Sequence, residues 1–438
     1  MNSGNFNSAL SDPQLNVMNY LNQVVLSFPH SVSFASGRPS ENFFDIDEWP
    51  SCVDEFVAYE SERTGRSPGT VMQDLGQYGR TIGIINDLIV RTLENDEGIR
   101  VHASDVMVTS GCQEGMALCL DTLFRVADDV LLVTDPTYIG VTGLAKIRGI
   151  ETRCVSCDAE GPELSDLNAL LSEIRKNGKT PKALYLIPDF NNPLGTSISL
   201  PRRQALLQCC ADAGVYILED NPYGMFRFEG DRLPTLKALD SFDIVIYLGT
   251  FSKTISPGLR VGYLVATRKV TLGDETGSLT QQLSKIKSLL TVNTGQLSQA
   301  IVGGILLREK CSLQQRVAPI VQYYKNNRDV MVQALSDVFS KSSSWGSSVR
   351  WNYPSGGYFL TVSLPFTFGA REAEVCARDY GVICMPLSFF SMNGSCDNVI
   401  RLSFSYVSPA QITLGVNRLG CYIDAVMDEH RQSMVLEG

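Results

Sequence analysis

Short apolar runs of four or five residues recur through the middle of the chain: VMVT (106–109), VLLVT (130–134), ALYLI (183–187), VYIL (215–218), IVIYL (244–248) and GYLVA (262–266). They are hydrophobic almost throughout and do not alternate, which marks strands covered on both faces, as in a parallel sheet. Stretches with helical spacing lie between them, including 112–127 and 200–214. Pro201 suits the first turn of the second stretch and Gly214 its C-terminal end. Strands alternating with helices predict a wound α/β domain over residues 76–290. The flanks read differently. Residues 1–75 hold an early amphipathic stretch and then the loop SGRPSENFFDIDEWP, while 291–438 open with a long helical pattern and close with SGGYFLTVSL, VIRLSFS and a final helix. These two ends are expected to fold together as a smaller α/β domain. No internal repeat is visible, and the Ser-rich run at 340–348 reads as a surface turn.

Composition narrows the chemistry. The 438 residues are 44% hydrophobic and 19% charged, an ordinary globular balance with room for several domains. Lys and Arg number 37 against 47 Asp and Glu, for a net charge of -10, and no basic run is present; nucleic acid is therefore not an expected partner. Only His30, His102 and His430 occur, scattered, which argues against His-built metal sites and Ser-His-Asp hydrolysis. The chemistry is left to Lys, Asp, Tyr, Arg or a bound cofactor. The N-terminus lacks the features of a signal peptide, and no apolar run approaches the roughly 20 residues of a membrane span. Twelve irregularly spaced cysteines then read as reduced thiols of a cytoplasmic protein. Cys154 and Cys157 form a CxxC with no second pair, so no zinc site is expected.

The informative residues follow the strands. After VMVT come Ser110, Gly111 and Cys112, opening a helix; after VLLVT comes Asp-Pro-Thr-Tyr138; after ALYLI comes PDFNNPLG with Asn192; after VYIL come Asp220 and Tyr223; after IVIYL come Thr250, Ser252 and Lys253, and then Arg260. In a wound sheet the carboxyl ends of the strands share one edge, where ligands bind. A lysine, an acid and a phosphate cradle at one edge are the parts that pyridoxal phosphate needs: an amine for a Schiff base and an acid for the pyridine nitrogen.

Taken singly, each residue has an ordinary reading. Ser-Gly-Cys before a helix can be a simple cap, although a helix N-terminus also holds phosphate through its free N–H groups and dipole. Tyr138 can be core packing or a ring stacked on a cofactor. Asp220 can be a loop acid and Lys253 a surface charge. Arg401 interrupts an apolar strand, where it can pair with a carboxylate of the protein or of a substrate. The ordered set is much more specific than any member.

That set resembles the fold-type I, class I/II pyridoxal phosphate-dependent aminotransferases, in the branch with the kynurenine and α-aminoadipate aminotransferases. The likeness runs from Gly37-Arg38-Pro39 to Arg401 and is most specific at GTFSKTISPGLRVGYL, PDFNNPLGT and LEDNPYG. SDPQLNVMNYLNQV, GRPSENFFD and QYGRT are most similar to the dihydroxyphenylglycine transaminases of antibiotic biosynthesis. The resemblance implies a large domain with a mostly parallel seven-stranded sheet and a smaller α/β domain. It implies Lys253 as the lysine that bonds the cofactor and shuttles the proton, and Asp220 as partner of the ring nitrogen. Tyr223 and Asn192 would meet the ring hydroxyl and Tyr138 would stack on the ring. Ser110, Gly111, Cys112, Thr250, Ser252 and Arg260 would hold the phosphate; Arg401 and Asn192, with Gly37 nearby, would bind the substrate carboxylate. Tyr78 would reach the phosphate of a second subunit, which implies a homodimer with shared sites. Two positions depart from the pattern: Cys112 where Ser or Ala is usual, and Leu194 where Thr is usual.

The implied reaction moves an amino group between an amino acid, aromatic or bulky and apolar, and a 2-oxo acid. The N-terminal segment, Phe43-Phe44 and Phe389-Phe390 are the expected selecting walls, with core packing as the equal alternative for the phenylalanines. The same parts would also serve a β/γ-elimination or replacement enzyme, including one using S-adenosylmethionine, since pocket shape decides between them. A regulator that senses the cofactor would need a DNA-binding module before Gly37, and the 36 residues there are too few for one. The first expected outcome is that borohydride reduction of the yellow protein fixes the cofactor to Lys253. Peptide mapping that finds the adduct on another lysine would overturn this assignment.

Overall fold

The computed structural model describes residues 6–12, 15, 17–340 and 346–437; residues 341–345 of the Ser-rich run lie outside them. Its centre is a seven-stranded sheet: β1 (Val106–Thr109), β2 (Asp129–Thr134), β3 (Glu151–Val155), β4 (Thr180–Leu186), β5 (Tyr216–Asp220), β6 (Val245–Thr250) and β7 (Gly262–Val265). The spatial order is β1-β7-β6-β5-β4-β2-β3. All the predicted runs form strands. β2 to β6 pair in parallel, while β7 runs antiparallel to both β6 and β1. GYLVA carries the same continuous apolar pattern as its neighbours, because burial on both faces dictates that pattern whatever the strand direction.

The 112–127 stretch is helical only over Cys112–Leu123. Arg125 leaves the helix because Asp129 accepts its backbone N–H at 2.8 Å and its guanidinium at 2.9 Å. The second stretch is helical over Leu200–Asp212, with Pro201 in its first turn and Gly214 left-handed just past its end. Cys154 lies in β3 and Cys157 in a two-residue strand beyond it, and both are free thiols.

Helices Val17–Ser27 and Pro409–Glu437 and a four-stranded antiparallel sheet belong to the chain ends. That sheet takes β8 (Arg350–Trp351), β9 (Phe359–Ser363), β10 (Met385–Pro386) and β11 (Val399–Ser403) in the order β8-β9-β11-β10. Val32–Ser33, from the N-terminal end, pairs in parallel with Val382–Ile383 from the C-terminal end. The packing nevertheless places a boundary at neither 75 nor 291. Helices Trp49–Thr64 and Gln296–Arg308 share one hydrophobic cluster with Val106, Val108, Tyr247 and Tyr263, on a face of the large sheet. Their apolar faces complete the core of the large domain, and local periodicity does not reveal which sheet a helix covers. The long helical pattern after 291 is broken where Lys310 and Cys311 take positive φ, and it resumes as Gln314–Ser340.

The two helices on the large sheet approach closely through Gly304, where a Cβ would overlap the Cys52 carbonyl. Gly304→Ala would gain about 1 kcal/mol of helix propensity but would force the helices apart, at a cost of about 1–3 kcal/mol. The expected outcome is a lowered denaturation midpoint. An unchanged or raised midpoint would show that the backbones yield without penalty.

Candidate active site

The carboxyl ends of β1, β2, β4, β5 and β6 open onto one edge of the sheet. Because β7 is antiparallel, its first residue, Gly262, lies at that edge too, paired with Thr109 on one side and Thr250 on the other. This register brings Arg260 beside the Ser110–Cys112 turn. Gly262 has to be glycine, since a Cβ there would stand 2.7 Å from the Cys112 nitrogen. Gly111 has φ +79° and sits under the Arg260 guanidinium, so any side chain at 111 would collide with it. The helix that begins at Cys112 has no side-chain cap. Its first N–H groups and the Arg260 guanidinium make an anion-binding corner. Behind the corner, Glu114 accepts the Ser110 N–H at 2.6 Å and forms a buried ion pair with Lys287 at 2.8 Å.

A cavity of about 590 Å³ opens in front of this edge. All the site residues predicted from the sequence line it except Ser110 and Gly111, which form the turn behind Cys112, and Tyr78, which is 80% exposed away from it. Asp220, the last residue of β5, is buried at its floor. Tyr185 donates its hydroxyl to Asp220 Oδ2 at 2.7 Å, and the Cys112 thiol donates to Oδ1 at 3.3 Å. Burial pushes the Asp220 carboxyl up to about 6; those two hydrogen bonds and the Lys253 charge act in the opposite direction. Lys253 Nζ donates to the Gly37 carbonyl at 3.0 Å. Burial lowers its ammonium to about 8, against the pull of Asp220, with Arg260 and Arg401 adding to the fall. The site thus holds an acid and an amine that both change charge within about a unit of neutrality, as proton-transfer groups require.

Arg401, in β11, enters from the other side of the cavity. It donates to Asn192 Oδ1 at 2.7 Å and to the Ala35 carbonyl, and its guanidinium lies over the Phe359 and Phe390 rings at 4.3 and 4.9 Å. Its Nε is buried without a partner. Burial lowers the Arg401 pKa to about 10. A desolvated guanidinium with an unpaired donor is a receptor for a carboxylate. Tyr138 lies over the Cys112 end of the cavity, with its hydroxyl 3.3 Å from Gln113 Oε1.

The expected selecting walls divide. Phe390 lines the cavity, as do Val25 and Leu26 of the N-terminal helix; Phe43, Phe44 and Phe389 do not. Phe43 instead packs edge-on against Tyr323, with centroids 5.4 Å apart, so core packing holds for it. Tyr185 and Gln113 belong to the site without having been predicted. Their signals were slight: a phenol inside a buried apolar run, and an amide directly after the cap.

Residues 70–419 match the family model described as aminotransferase class I and II. The chain is 40% identical over 417 residues to the (S)-3,5-dihydroxyphenylglycine transaminase of Amycolatopsis orientalis, covering 95% of this chain and 93% of that one. Its structure is similar to a kynurenine aminotransferase from Pyrococcus horikoshii (TM-score 0.80, 27% identity, 96% of each chain). It is also similar to an α-aminoadipate aminotransferase from Thermus thermophilus solved with N-(5'-phosphopyridoxyl)-L-leucine (TM-score 0.76, 29% identity, 92% of this chain and 95% of that one).

The lowered Lys253 pKa has a direct readout. Only the neutral amine attacks a carbonyl, so labelling of the apoprotein with a small aldehyde, trapped by reduction and followed on the Lys253 peptide, should rise through about pH 8 and then level off. A midpoint at the ordinary lysine value of 10.5 would contradict the desolvated setting.

Proposed function

The chain belongs to the class I and II aminotransferases, and on that premise we propose which residues run the reaction and which substrates they accept. The enzyme uses pyridoxal phosphate to move an amino group between an amino acid and a 2-oxo acid. The residues present fit that cofactor. The corner at Gly111 and Arg260 suits a phosphate, the buried Asp220 suits a basic ring nitrogen, and the unpaired Arg401 Nε suits a second anion across the cavity. The observation that carries the reading is this spacing of charges around Lys253 in one cavity.

Bound there, the cofactor supplies a carbonyl that takes up the amino group and a ring that accepts the charge left at Cα. The protein supplies the rest. The Cys112 N–H, with Ser110, Gly111, Thr250, Ser252 and Arg260, holds the phosphate. Tyr138 covers the ring, and Tyr223 with Asn192 meets its hydroxyl. Asp220 keeps a proton at the ring nitrogen. Arg401 and Asn192 grip the substrate α-carboxylate, which brings Cα within reach of Lys253 Nζ. Lys253, as the free amine, would take the Cα proton and hold it for return on the far side of the transferred nitrogen, at the carbonyl carbon that the cofactor would supply.

The substrate side chain then faces Val25, Leu26 and Phe390. These apolar walls support an aromatic or bulky apolar amino acid, in keeping with the dihydroxyphenylglycine and kynurenine that two of the relatives are named for, whereas the third is named for the acidic α-aminoadipate. A homodimer is supported by the surface around Tyr78. Gln296 donates to the Gln77 carbonyl, which ties the Tyr78 loop to a region where Leu289, Leu290, Val292 and Leu297 are exposed. Large apolar side chains left exposed near one loop suit a second copy. No helix among the described residues is long and apolar enough to cross a membrane, and twelve free thiols support a reducing, cytoplasmic setting.

Single-turnover spectra across amino acids test the reaction. The expected result is conversion of the cofactor to pyridoxamine phosphate with release of a 2-oxo acid, fastest for aromatic substrates. Steady release of ammonia or of a Cγ leaving group would overturn it. Arg401→Ala should raise KM for every amino acid alike, whereas Phe390→Ala should reorder substrates and Phe43→Ala should not. Mixing Lys253→Ala with Tyr78→Phe subunits should restore activity through heterodimers; absence of complementation would count against shared sites.

A further inference from the structure

Tyr185 takes no part in the reaction just described, yet its hydroxyl is committed to the site. It sits on β4, directly beside β5, and the register sets Tyr185 opposite Leu218 and Leu186 opposite Glu219. From that position its side chain reaches forward to the end of β5 and donates to Asp220 Oδ2 at 2.7 Å. The ring is wholly buried. The second Asp220 oxygen takes the Cys112 thiol at 3.3 Å. Each carboxylate oxygen therefore has one neutral donor, one from the sheet and one from the helix of the anion-binding corner. Cys112 is one of the two positions that depart from the pattern of the resemblance, and its thiol points at the acid.

We propose that Tyr185 is a positioning residue, assisted by Cys112, that holds Asp220 in place and weakens it as a base, so that the shared proton stays on the cofactor's ring nitrogen. The proposal rests on the reading of Asp220 as the partner of that nitrogen. Two bases share one proton according to their relative basicity. A carboxylate stripped of its donors becomes the stronger base and draws the proton to itself, leaving a neutral ring that accepts negative charge poorly. The other ionisable groups facing Asp220 are Lys253, Tyr138 and Tyr223. Burial holds both phenols in the neutral form by raising their pKa values, which leaves Lys253 as the charged neighbour. Lys253 is bonded to the cofactor in the resting enzyme of this reading, so the two neutral donors matter most in that state.

The test uses the holoenzyme loaded with cofactor labelled with ¹⁵N at the ring. In Tyr185→Phe, which removes one oxygen and keeps the ring that fills the core, the nitrogen resonance should move toward that of a neutral pyridine. The limiting rate should fall about tenfold or more with KM little changed. Cys112→Ala should move the resonance the same way by less. 2,3-Difluorotyrosine at position 185, a stronger donor of nearly the same shape, should move it in the opposite direction, and it serves if the phenylalanine variant does not fold. A resonance unmoved by these changes at position 185 overturns the proposal. Asp220→Asn separates the two levels: if it moves the resonance and the Tyr185 variants do not, only the role of Tyr185 fails. If Asp220→Asn leaves the resonance in place as well, the assignment of Asp220 itself fails.

Discussion

An ionisable acid buried at the floor of a cavity has to be supplied with hydrogen-bond donors, and most of the site's architecture follows from that need. Leaving a buried carboxylate unpaired costs several kcal/mol or shifts it to its neutral form. Asp220 meets the demand with a phenol from the neighbouring strand, a thiol from the first helical residue after β1, and the positive field of Lys253. The balance leaves its pKa at about 6 and that of Lys253 at about 8, so that near neutrality the two are charged oppositely without being locked in a salt bridge. Lys253 Nζ bonds the neutral Gly37 carbonyl instead.

The direction of one strand arranges the remaining positive charge. A wholly parallel sheet would start β7 at the far edge, away from the ligand. Running antiparallel, β7 delivers Arg260 to the same corner as the uncapped helix after Gly111, and Gly262 lets the two segments touch. The buried Glu114–Lys287 pair then fixes that helix from behind through the Ser110 N–H. Breaking such a pair would leave one charge buried without its partner, so the geometry of the anion-binding corner depends on residues that never face the cavity.

The two chain ends close the other side. β11 brings Arg401, and the N-terminal helix brings Val25 and Leu26, to a wall opposite the sheet edge. In the proposed function, recognition of the part common to all amino acids falls to Arg401 and selection of the side chain to the apolar walls. The first rests on a guanidinium held by Asn192 and stacked between Phe359 and Phe390. The second rests on Val25, Leu26 and Phe390, and Phe390 joins the two because its ring also lies 4.9 Å from the guanidinium.

Much of this was legible in the chain itself. Strands buried on both faces must be apolar throughout, so the core strands declared themselves, and the polar residues placed just after them had to meet at one edge. Lys253, Asp220, Tyr223, Asn192 and Arg260 were singled out on those grounds, and Arg401 as the charge that interrupts an apolar strand; the structure brings all six to one cavity. The sequence could not show that β7 is antiparallel, because burial demands the same residues in either direction. Nor could it show that helices 49–64 and 296–308 cover the large sheet, that Phe390 faces the cavity while Phe43 does not, or that Tyr185 and Cys112 share Asp220. Each of these is a contact between residues far apart in the chain. A local pattern records only that a side chain is buried, and which partner it is buried against is settled when the elements pack.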